Sequence, residues 1–446
     1  MKKRTLCILC VLLCGTLLFC GCTTIDTPET STQGTTQESK LEIYYLVSDP
    51  VAQAIVSGYR ALSTIKLGLT AFADVEEMDL RIAAEIGSGK GPDVVLFTDA
   101  TTLDTAKMAT NNAFLNLSEL LTADKTFAED NYYPVLDAGK VGDAQMLMPL
   151  RFSLHYLLTS EEKLQNSGIS LPENYTASEL MEVLATNAEV CGDDQSAMQT
   201  LNGSSIGGLI YDRLRLSNIQ VVNMANREVC IMEEVFQEFS EHAKLSYNQF
   251  VKSAQILKTY SRDFVGGVSK LTTLMSNETP LFQLRYYNAL FDQGLNETMT
   301  VLTYPNYDAP QELTADISLY GAILKGTDVQ QEAYNFIRYA MDSEVGEYTN
   351  DLSINRASVD AQITLFCENP GKRVNIGSMF VDIPKMSGDL REVCESLLNK
   401  VASGSIRNSA IDGIFTEAME DFICGNASYE DCYTKFKNKI GLYVNE

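Results

Sequence analysis

The segment Gly87-Ser88-Gly89-Lys90-Gly91-Pro92-Asp93-Val94-Val95-Leu96-Phe97-Thr98-Asp99 decides the fold class predicted for this chain. A cluster of glycines and a proline precedes an apolar run at 94–97, and the chain then turns polar at once. This pattern predicts a buried parallel strand ending in a loop, and such loops line the ligand crevice of open α/β sheets. The glycines lie before the strand and lack the GxxxxGK[ST] spacing, which argues against a phosphate-binding loop.

The segments around this strand alternate between strand patterns and helix patterns. Strands are predicted at 41–47 and 66–71, and helices at 51–62 and 75–86. Asp49 is a favourable cap and Pro50 a favourable first residue for the helix that follows the first strand. Strands that alternate with helices in this way predict an α/β fold.

Composition and charge narrow the functional classes. The 446 residues are 45% hydrophobic and 21% charged, which is ordinary for a globular protein of two or three domains. The formal net charge of -25 argues against nucleic-acid binding, because that affinity comes from clustered Lys and Arg.

The first residues carry an export signal. Lys2, Lys3 and Arg4 precede an apolar run at 6–19 that is too short to span a membrane. The following Phe19-Cys20-Gly21-Cys22 resembles a bacterial lipobox, so residues 1–21 are predicted to be a lipoprotein signal peptide and Cys22 the lipidated residue, with plain secretion as the alternative. Residues 22–40, rich in Thr, Ser, Gln and Glu, are predicted to be a flexible linker. We therefore expect a protein anchored by lipid to the cell membrane, on its extracellular face.

Metal-binding motifs are absent from the sequence beyond the leader. That part of the chain has no CxxC, HExxH or DxDxDG motif, and a packed, structural role is predicted for its two histidines, His155 and His242. Adjacent acids at Asp193 and Asp194 leave a glycosidase open. Beyond the leader, the cysteines are predicted to be mostly free thiols, although disulfides between them stay open: Cys191, Cys230, Cys367, Cys394, Cys424 and Cys432.

The order of segments along the chain resembles that of the extracellular solute-binding proteins of ABC importers, family 1, the group that includes maltose-binding protein. The segments that carry the resemblance are GPDVVLF (91–97), FLNLSELL (114–121), the MPL strand (148–150) leading into 151–158, the helix entry at 171–180, the short strand at 226–231 with a helix at 233–245, the strand at 320–324 with a helix at 329–341, and the terminal 438–446.

This resemblance implies an α/β, two-lobed type II periplasmic-binding-protein fold with a hinge and an interlobe cleft. Lobe one would comprise 41–147 and 299–350, and lobe two 148–298 and 351–446. The protein would be a monomer without cofactor or catalytic activity, and it would close on a small solute and deliver it to a membrane permease. The alternatives are a secreted lipoprotein hydrolase or lyase acting on polysaccharide, and a member of the fold used as an adhesin or sensor.

Candidate ligand contacts combine polar and aromatic side chains, which suits a sugar with hydroxyls and apolar ring faces. They are the residues after the first strands and, in the second lobe, those at the first crossover and near 285: Ser48, Asp49, Phe72, Asp74, Thr98, Asp99, Arg151, Phe152, Arg285, Tyr286 and Tyr287. The chain departs from sugar-binding members because it has no Trp. Tyrosines such as Tyr304 and Tyr307 could take the place of indole, whereas a rival ligand would be an anion clamped by Arg151 and Arg285.

Overall fold

A computed structural model describes residues 40–168, 170–190, 206–257, 264–265, 268–269, 275–277, 281, 284–343, 351–368, 371–376 and 379–446. These residues belong to one compact unit that begins at Ser39. The predicted signal peptide, Cys22, the linker up to residue 39, Cys191, Asp193 and Asp194 lie outside the described residues.

The strands are β1 (Lys40–Leu46), β2 (Lys66–Phe72), β3 (Val94–Thr98), β4 (Lys140–Val141), β5 (Ala144–Gln145), β6 (Met148–Ser153), β7 (Tyr156–Ser160), β8 (Val222–Asn223), β9 (Glu228–Val229), β10 (Phe264–Val265), β11 (Val268–Ser269), β12 (Met275–Asn277), β13 (Met299–Thr303), β14 (Leu313–Ile323), β15 (Leu352–Ser353), β16 (Lys372–Ile376), β17 (Met379–Ile383) and β18 (Val401–Ser405). The helices are α1 (Pro50–Leu62), α2 (Val75–Gly87), α3 (Thr105–Thr110), α4 (Ser118–Ala123), α5 (Glu161–Ser167), α6 (Ala177–Val190), α7 (Gly208–Leu216), α8 (Glu233–Leu257), α9 (Leu284–Ala289), α10 (Gln330–Asp342), α11 (Arg356–Glu368), α12 (Gly388–Asn399), α13 (Ser409–Ile423) and α14 (Tyr429–Asn445).

The main sheet has the strand order β15-β6-β14-β3-β1-β2, and β18 also pairs with β14. The predicted strands β1, β2 and β3 are confirmed within one or two residues at each end, and they are parallel. β14 returns antiparallel to both β3 and β6. The carboxyl ends of β1, β2 and β3 therefore meet at one edge of the sheet.

Two aspartates fix where the first helices begin. Asp49 accepts hydrogen bonds from the amides of Val51 and Ala52, both at 2.8 Å, and so caps α1. Asp74 caps α2 in the same way. Because the first amides of a helix lack partners within it, these caps start each helix directly after its strand.

The chain passes from the main sheet to a second sheet through short connections. Only Leu154 and His155 separate β6 from β7, and β7 lies between β12 and β13 in the second sheet. The chain then continues from β13 into β14 of the main sheet. Strands that cross between two sheets in this way form the hinge of a two-lobed α/β protein.

Two clusters of buried side chains form the core of the part of the chain that the structure describes. One surrounds the main sheet. The other lies among α6, α7, α8, α13 and α14, where the Phe236 ring lies 4.4 Å from Phe436 and 5.6 Å from Phe415, measured between centroids. The first cluster continues through the hinge strands, so it does not mark where one lobe ends, and the lobe boundaries given above stay predictions.

Helix α8 is longer than the sequence analysis predicted. It runs Glu233–Leu257 rather than ending near 245. The chain has neither Gly nor Pro between these bounds, so nothing in the backbone chemistry ends the helix earlier. The preceding strand is shorter than predicted and comprises Glu228–Val229.

Candidate functional site

Asp49 and Asp99 lie at the same edge of the main sheet. β1 and β3 are parallel neighbours, with Ile43 opposite Val94, and each aspartate follows the end of its strand. The amide of Asp99 also donates to the carbonyl of Ser318 at 3.1 Å, which ties this edge to β14. The structure therefore places these two predicted site residues at one edge of the sheet, with Asp99 bonded to β14.

A third carboxylate, Asp351, joins this edge. It directly precedes β15, whose Leu352 pairs with Phe152 in β6. Burial, helped by the charges of Asp49 and Asp99, raises the pKa of Asp351 to about 6, although Ser318 and Arg151 act in the opposite direction. The charges of Asp49 and Asp99 therefore both act on Asp351, and we call Asp49, Asp99 and Asp351 the acidic cluster.

Asp351 was not among the residues predicted from the sequence, because no motif surrounds it and its neighbours in the candidate site are far away along the chain. Its contribution depends on the pairing of β15 with β6, which is a tertiary contact. Within the described residues, no group of three or more His, Cys, Asp or Glu side chains has an arrangement that could hold a metal ion.

Arg151 on β6 is fully buried, and its charge acts on Asp351 of the acidic cluster. Its Nη1 donates to the carbonyl of Ala340 at 3.1 Å, and its Nη2 donates to the carbonyl of Ser343 at 2.9 Å and to its hydroxyl at 2.7 Å. These acceptors lie at the end of α10, where backbone carbonyls lack partners within the helix. Burial lowers the pKa of Arg151 to about 10, while Asp351 and Asp49 act to raise it. Both terminal nitrogens are therefore engaged inside the protein, and Arg151 acts on the cluster as a buried countercharge.

The other candidates that lie in or directly after strands of the main sheet differ in their surroundings. Ser48 is exposed, and Asp74 is an exposed cap. Thr98 is buried, and its hydroxyl has no hydrogen-bond partner in the part of the chain that the structure describes. Phe72 and Phe152 pack edge to face against Tyr44 and Tyr133, at 5.2 and 5.3 Å between ring centroids.

The candidates near residue 285 lie on α9. Arg285 is buried, its guanidinium lies 5.3 Å from the ring centroid of Phe366, and it donates to the carbonyl of that residue at 3.4 Å. Tyr286 and Tyr287 are half-buried and meet edge to face at 5.4 Å. Arg285 therefore contacts α11, whereas Tyr286 and Tyr287 are partly exposed. Their role as ligand contacts stays a prediction.

The cysteines and the hydrophobicity of the helices were also compared with the predictions from the sequence. The cysteines at 230, 367, 394, 424 and 432 are free thiols. None of the helices in the described ranges combines the length and apolar character needed to cross a membrane.

Known structures share this architecture over almost the whole chain. The sugar-binding protein MalE from Xanthomonas citri has a TM-score of 0.62 and 12% identity, over 91% of this chain and 98% of that one. The GacH receptor of Streptomyces glaucescens, solved unliganded and with acarbose, has a TM-score of 0.54 and 14% identity over the same shares. The ABC substrate-binding protein Lmo0181 from Listeria monocytogenes, solved with cycloalternan, has a TM-score of 0.51 and 12% identity over the same shares.

At these identities the similarity establishes the fold alone: an α/β, two-lobed type II periplasmic-binding-protein fold with a hinge and an interlobe cleft. It confirms the fold predicted from the order of segments. No protein-family model matches the sequence, and no curated protein matches it either. The structures named here are binding proteins, not enzymes.

Proposed function

We propose that this protein is the extracellular substrate-binding lipoprotein of an ABC importer, which captures a small solute by hinge closure and delivers it to a membrane permease. The observation that carries the proposal is the acidic cluster, which lies at the carboxyl edge of the main sheet beside β14, the strand by which the chain returns from the second sheet. A ligand held there contacts both lobes only when they close, so its binding favours the closed state by the difference in affinity.

An oligosaccharide is the ligand class that the site favours. Carboxylates accept hydrogen bonds from sugar hydroxyls, and half-buried rings such as Tyr286 and Tyr287 cover apolar sugar faces in the absence of Trp. An anionic ligand is disfavoured, because it would meet the negative charges of the acidic cluster. The guanidinium groups of Arg151 and Arg285, which would clamp such a rival ligand, donate instead to carbonyls of the protein.

A thermal-shift screen of the purified mature protein tests this function. The panel contains linear and cyclic gluco-oligosaccharides, polyols, and anionic sugars such as glucuronate. A ligand that binds only the folded state raises its stability by RT ln(1 + [L]/Kd), so we expect a neutral oligosaccharide to raise the melting temperature. Stabilisation by anionic sugars alone would overturn the ligand class.

Two further measurements test whether the protein binds the oligosaccharide without cleaving it and whether the two lobes close on it. After incubation, a binding protein returns the oligosaccharide intact, whereas a hydrolase or lyase produces new chain ends. Small-angle scattering with the best ligand should show compaction, since closure brings the lobes together. An unchanged scattering curve under calorimetrically proven saturation would argue against hinge closure.

The lipid anchor has a separate test. We expect the wild-type protein in the membrane fraction of its host and the Cys22→Ala variant in the medium or periplasm. Equal fractionation of the two proteins would exclude lipidation at Cys22.

A further inference from the structure

Helix α3 joins the core around the main sheet to the second core. Ala109 of α3 belongs to the first cluster of buried residues, whereas Phe415 of α13 and Tyr443 of α14 belong to the second. Polar side chains of α3 and of the loop before it contact residues at the start of α13 and the end of α14. We call this set the α3–α14 contact: Thr101, Asp104, Lys107, Asn408, Ser409 and Tyr443.

Asn408 lies at the centre of the α3–α14 contact. Its Nδ2 donates to Oδ1 of Asp104 and to the hydroxyl of Tyr443, both at 3.0 Å. Its Oδ1 accepts from the amides of Ala410 and Ile411 and so caps α13. Asn408 and Tyr443 are 8% and 7% exposed. Both amide hydrogens and the oxygen of this buried side chain are therefore satisfied in the arrangement seen here.

The loop before α3 is fixed to the main sheet side of the molecule. The hydroxyl of Thr101 and the amide of Thr102 donate to Asp79 of α2, at 2.8 and 2.6 Å, and Asp79 is buried. Asp104 caps α3. The carbonyl of Thr101 accepts from the hydroxyl of Ser409 at 2.8 Å. The start of α13 is thus bonded directly to a loop that α2 holds in place.

Lys107 connects α3 to the last turn of α14. Its Nζ lies 5.0 Å from the ring centroid of Tyr443 and donates to the carbonyl of that residue at 3.4 Å. The carbonyls of a final turn lack partners within the helix and attract a cation. Nζ also lies 3.6 Å from Oε2 of Glu446, but that side chain is 71% exposed, so this ion pair contributes little. The ring and the carbonyl of Tyr443 are therefore the main partners of Lys107.

A cavity of about 680 Å³ lies beside the α3–α14 contact. Its lining includes Ala106 of α3 and Lys140 of β4 from the main sheet side, Tyr211 and Arg215 of α7 from the second core, and Asn408. The two cores thus face each other across an open space. Ala106 and Asn408 place the α3–α14 contact at the wall of this space.

We propose that the α3–α14 contact is a latch that holds the two lobes against each other without any ligand, and that Lys107, Asn408 and Tyr443 are its positioning residues. The chain passes from β18 of the main sheet into α13 through 406–408. A rotation of the second core about this crossing carries the end of α14 away from α3. The bonds of the latch exist in one orientation of the lobes only, so they favour that orientation.

The latch is tested on the ligand-free protein by the distribution of distances between the two cores. Spin labels on genetically encoded ketone residues replace Leu62 at the end of α1 and Met232 directly before α8, both exposed, so that the native cysteines stay unlabelled. The double variant Lys107→Met and Tyr443→Phe keeps the apolar bulk and removes the ammonium and the hydroxyl. Pulsed electron paramagnetic resonance should show a broader distribution with a second population that the wild type lacks.

Two controls accompany this variant. Lys439→Met also removes a lysine of α14, but one that pairs with Glu417 of α13 inside the second core, so it should leave the distribution unchanged. Lys107→Arg keeps the cation and should match the wild type. A folded double variant with the wild-type distribution, or an equal change in Lys439→Met, would overturn the latch. If the double variant does not fold, Lys107→Met alone, whose side chain is partly exposed, must change the distribution.

The effect of the latch on binding rests on the proposed function. A ligand that needs closed lobes binds with an apparent Kd that rises as the closed fraction falls, so the double variant should bind an oligosaccharide more weakly in calorimetry. An unchanged Kd together with a changed distance distribution would refute this effect. Failure of the wild type to bind any oligosaccharide would instead refute the proposed ligand, and the distances measured without ligand would still decide on the latch.

Discussion

Neutralising Asp351 should stabilise the protein, and the gain should depend on pH. The pKa of this carboxyl is raised from 3.8 to about 6, first by burial. Between these values the folded state keeps a proton that the unfolded state releases, so stability falls as pH rises through this window. One pKa unit corresponds to about 1.4 kcal/mol, and ionisation of Asp351 therefore costs up to about 3 kcal/mol at neutral pH.

The test is the substitution Asp351→Asn, which removes the charge and keeps the shape. We expect the free energy of unfolding, measured by urea titration, to rise by up to about 3 kcal/mol at about pH 7.5 and to change little near pH 4. A gain of this kind is typical of a functional site, where charges that serve a ligand oppose folding.

Asp124→Asn is a control with the opposite sign. The hydroxyl and amide of Thr126, together with Arg338 and Tyr334, hold the pKa of Asp124 well below its usual range. Its ionised form therefore stabilises the fold above the unfolded pKa, and that stability is lost as pH falls. The variant should be destabilised at about pH 7.5, and its deficit should shrink below about pH 4.

The reasoning would be refuted if Asp351→Asn left the free energy of unfolding unchanged at about pH 7.5 while Asp124→Asn behaved as expected. A gain of equal size at both pH values would also contradict it, because such a gain would come from packing and not from charge.

Three other predictions concern the site and the framework beneath it. Replacing Thr98 and Asp99 together with Ala should weaken oligosaccharide binding in calorimetry and leave the ligand-free melting temperature nearly unchanged; a large loss of stability would instead make them part of the framework. Arg151→Lys should lower the free energy of unfolding by on the order of 3 kcal/mol, because a buried countercharge loses its bonds to Ala340 and Ser343; a wild-type urea midpoint would contradict this. Gly139→Ala should cost roughly 1–3 kcal/mol, since the added methyl would collide with the carbonyl of Leu147, whereas Gly388→Ala, with open space around it, should cost little in the same titration.

The start of the fold was predictable because its signals are local. Glycine and proline breakers, a run of apolar residues and the caps Asp49 and Asp74 act within a few residues of one another, so the order and bounds of β1, α1, β2, α2 and β3 follow from the sequence. The candidate site was predictable only in part. Asp49 and Asp99 were placed by the general geometry of parallel strands, which brings strand ends to one edge.

The sequence by itself determined the alternation of strands and helices and the segment order that resembles solute-binding proteins. It also pointed to Asp49 and Asp99, two of the three carboxylates of the acidic cluster. The tertiary structure decided that Asp351 joins them and that Arg151 turns its guanidinium to the end of α10. The physical reason is the same in each case. Burial and neighbouring charges depend on residues that are far apart in the chain, and no local pattern encodes which of them meet.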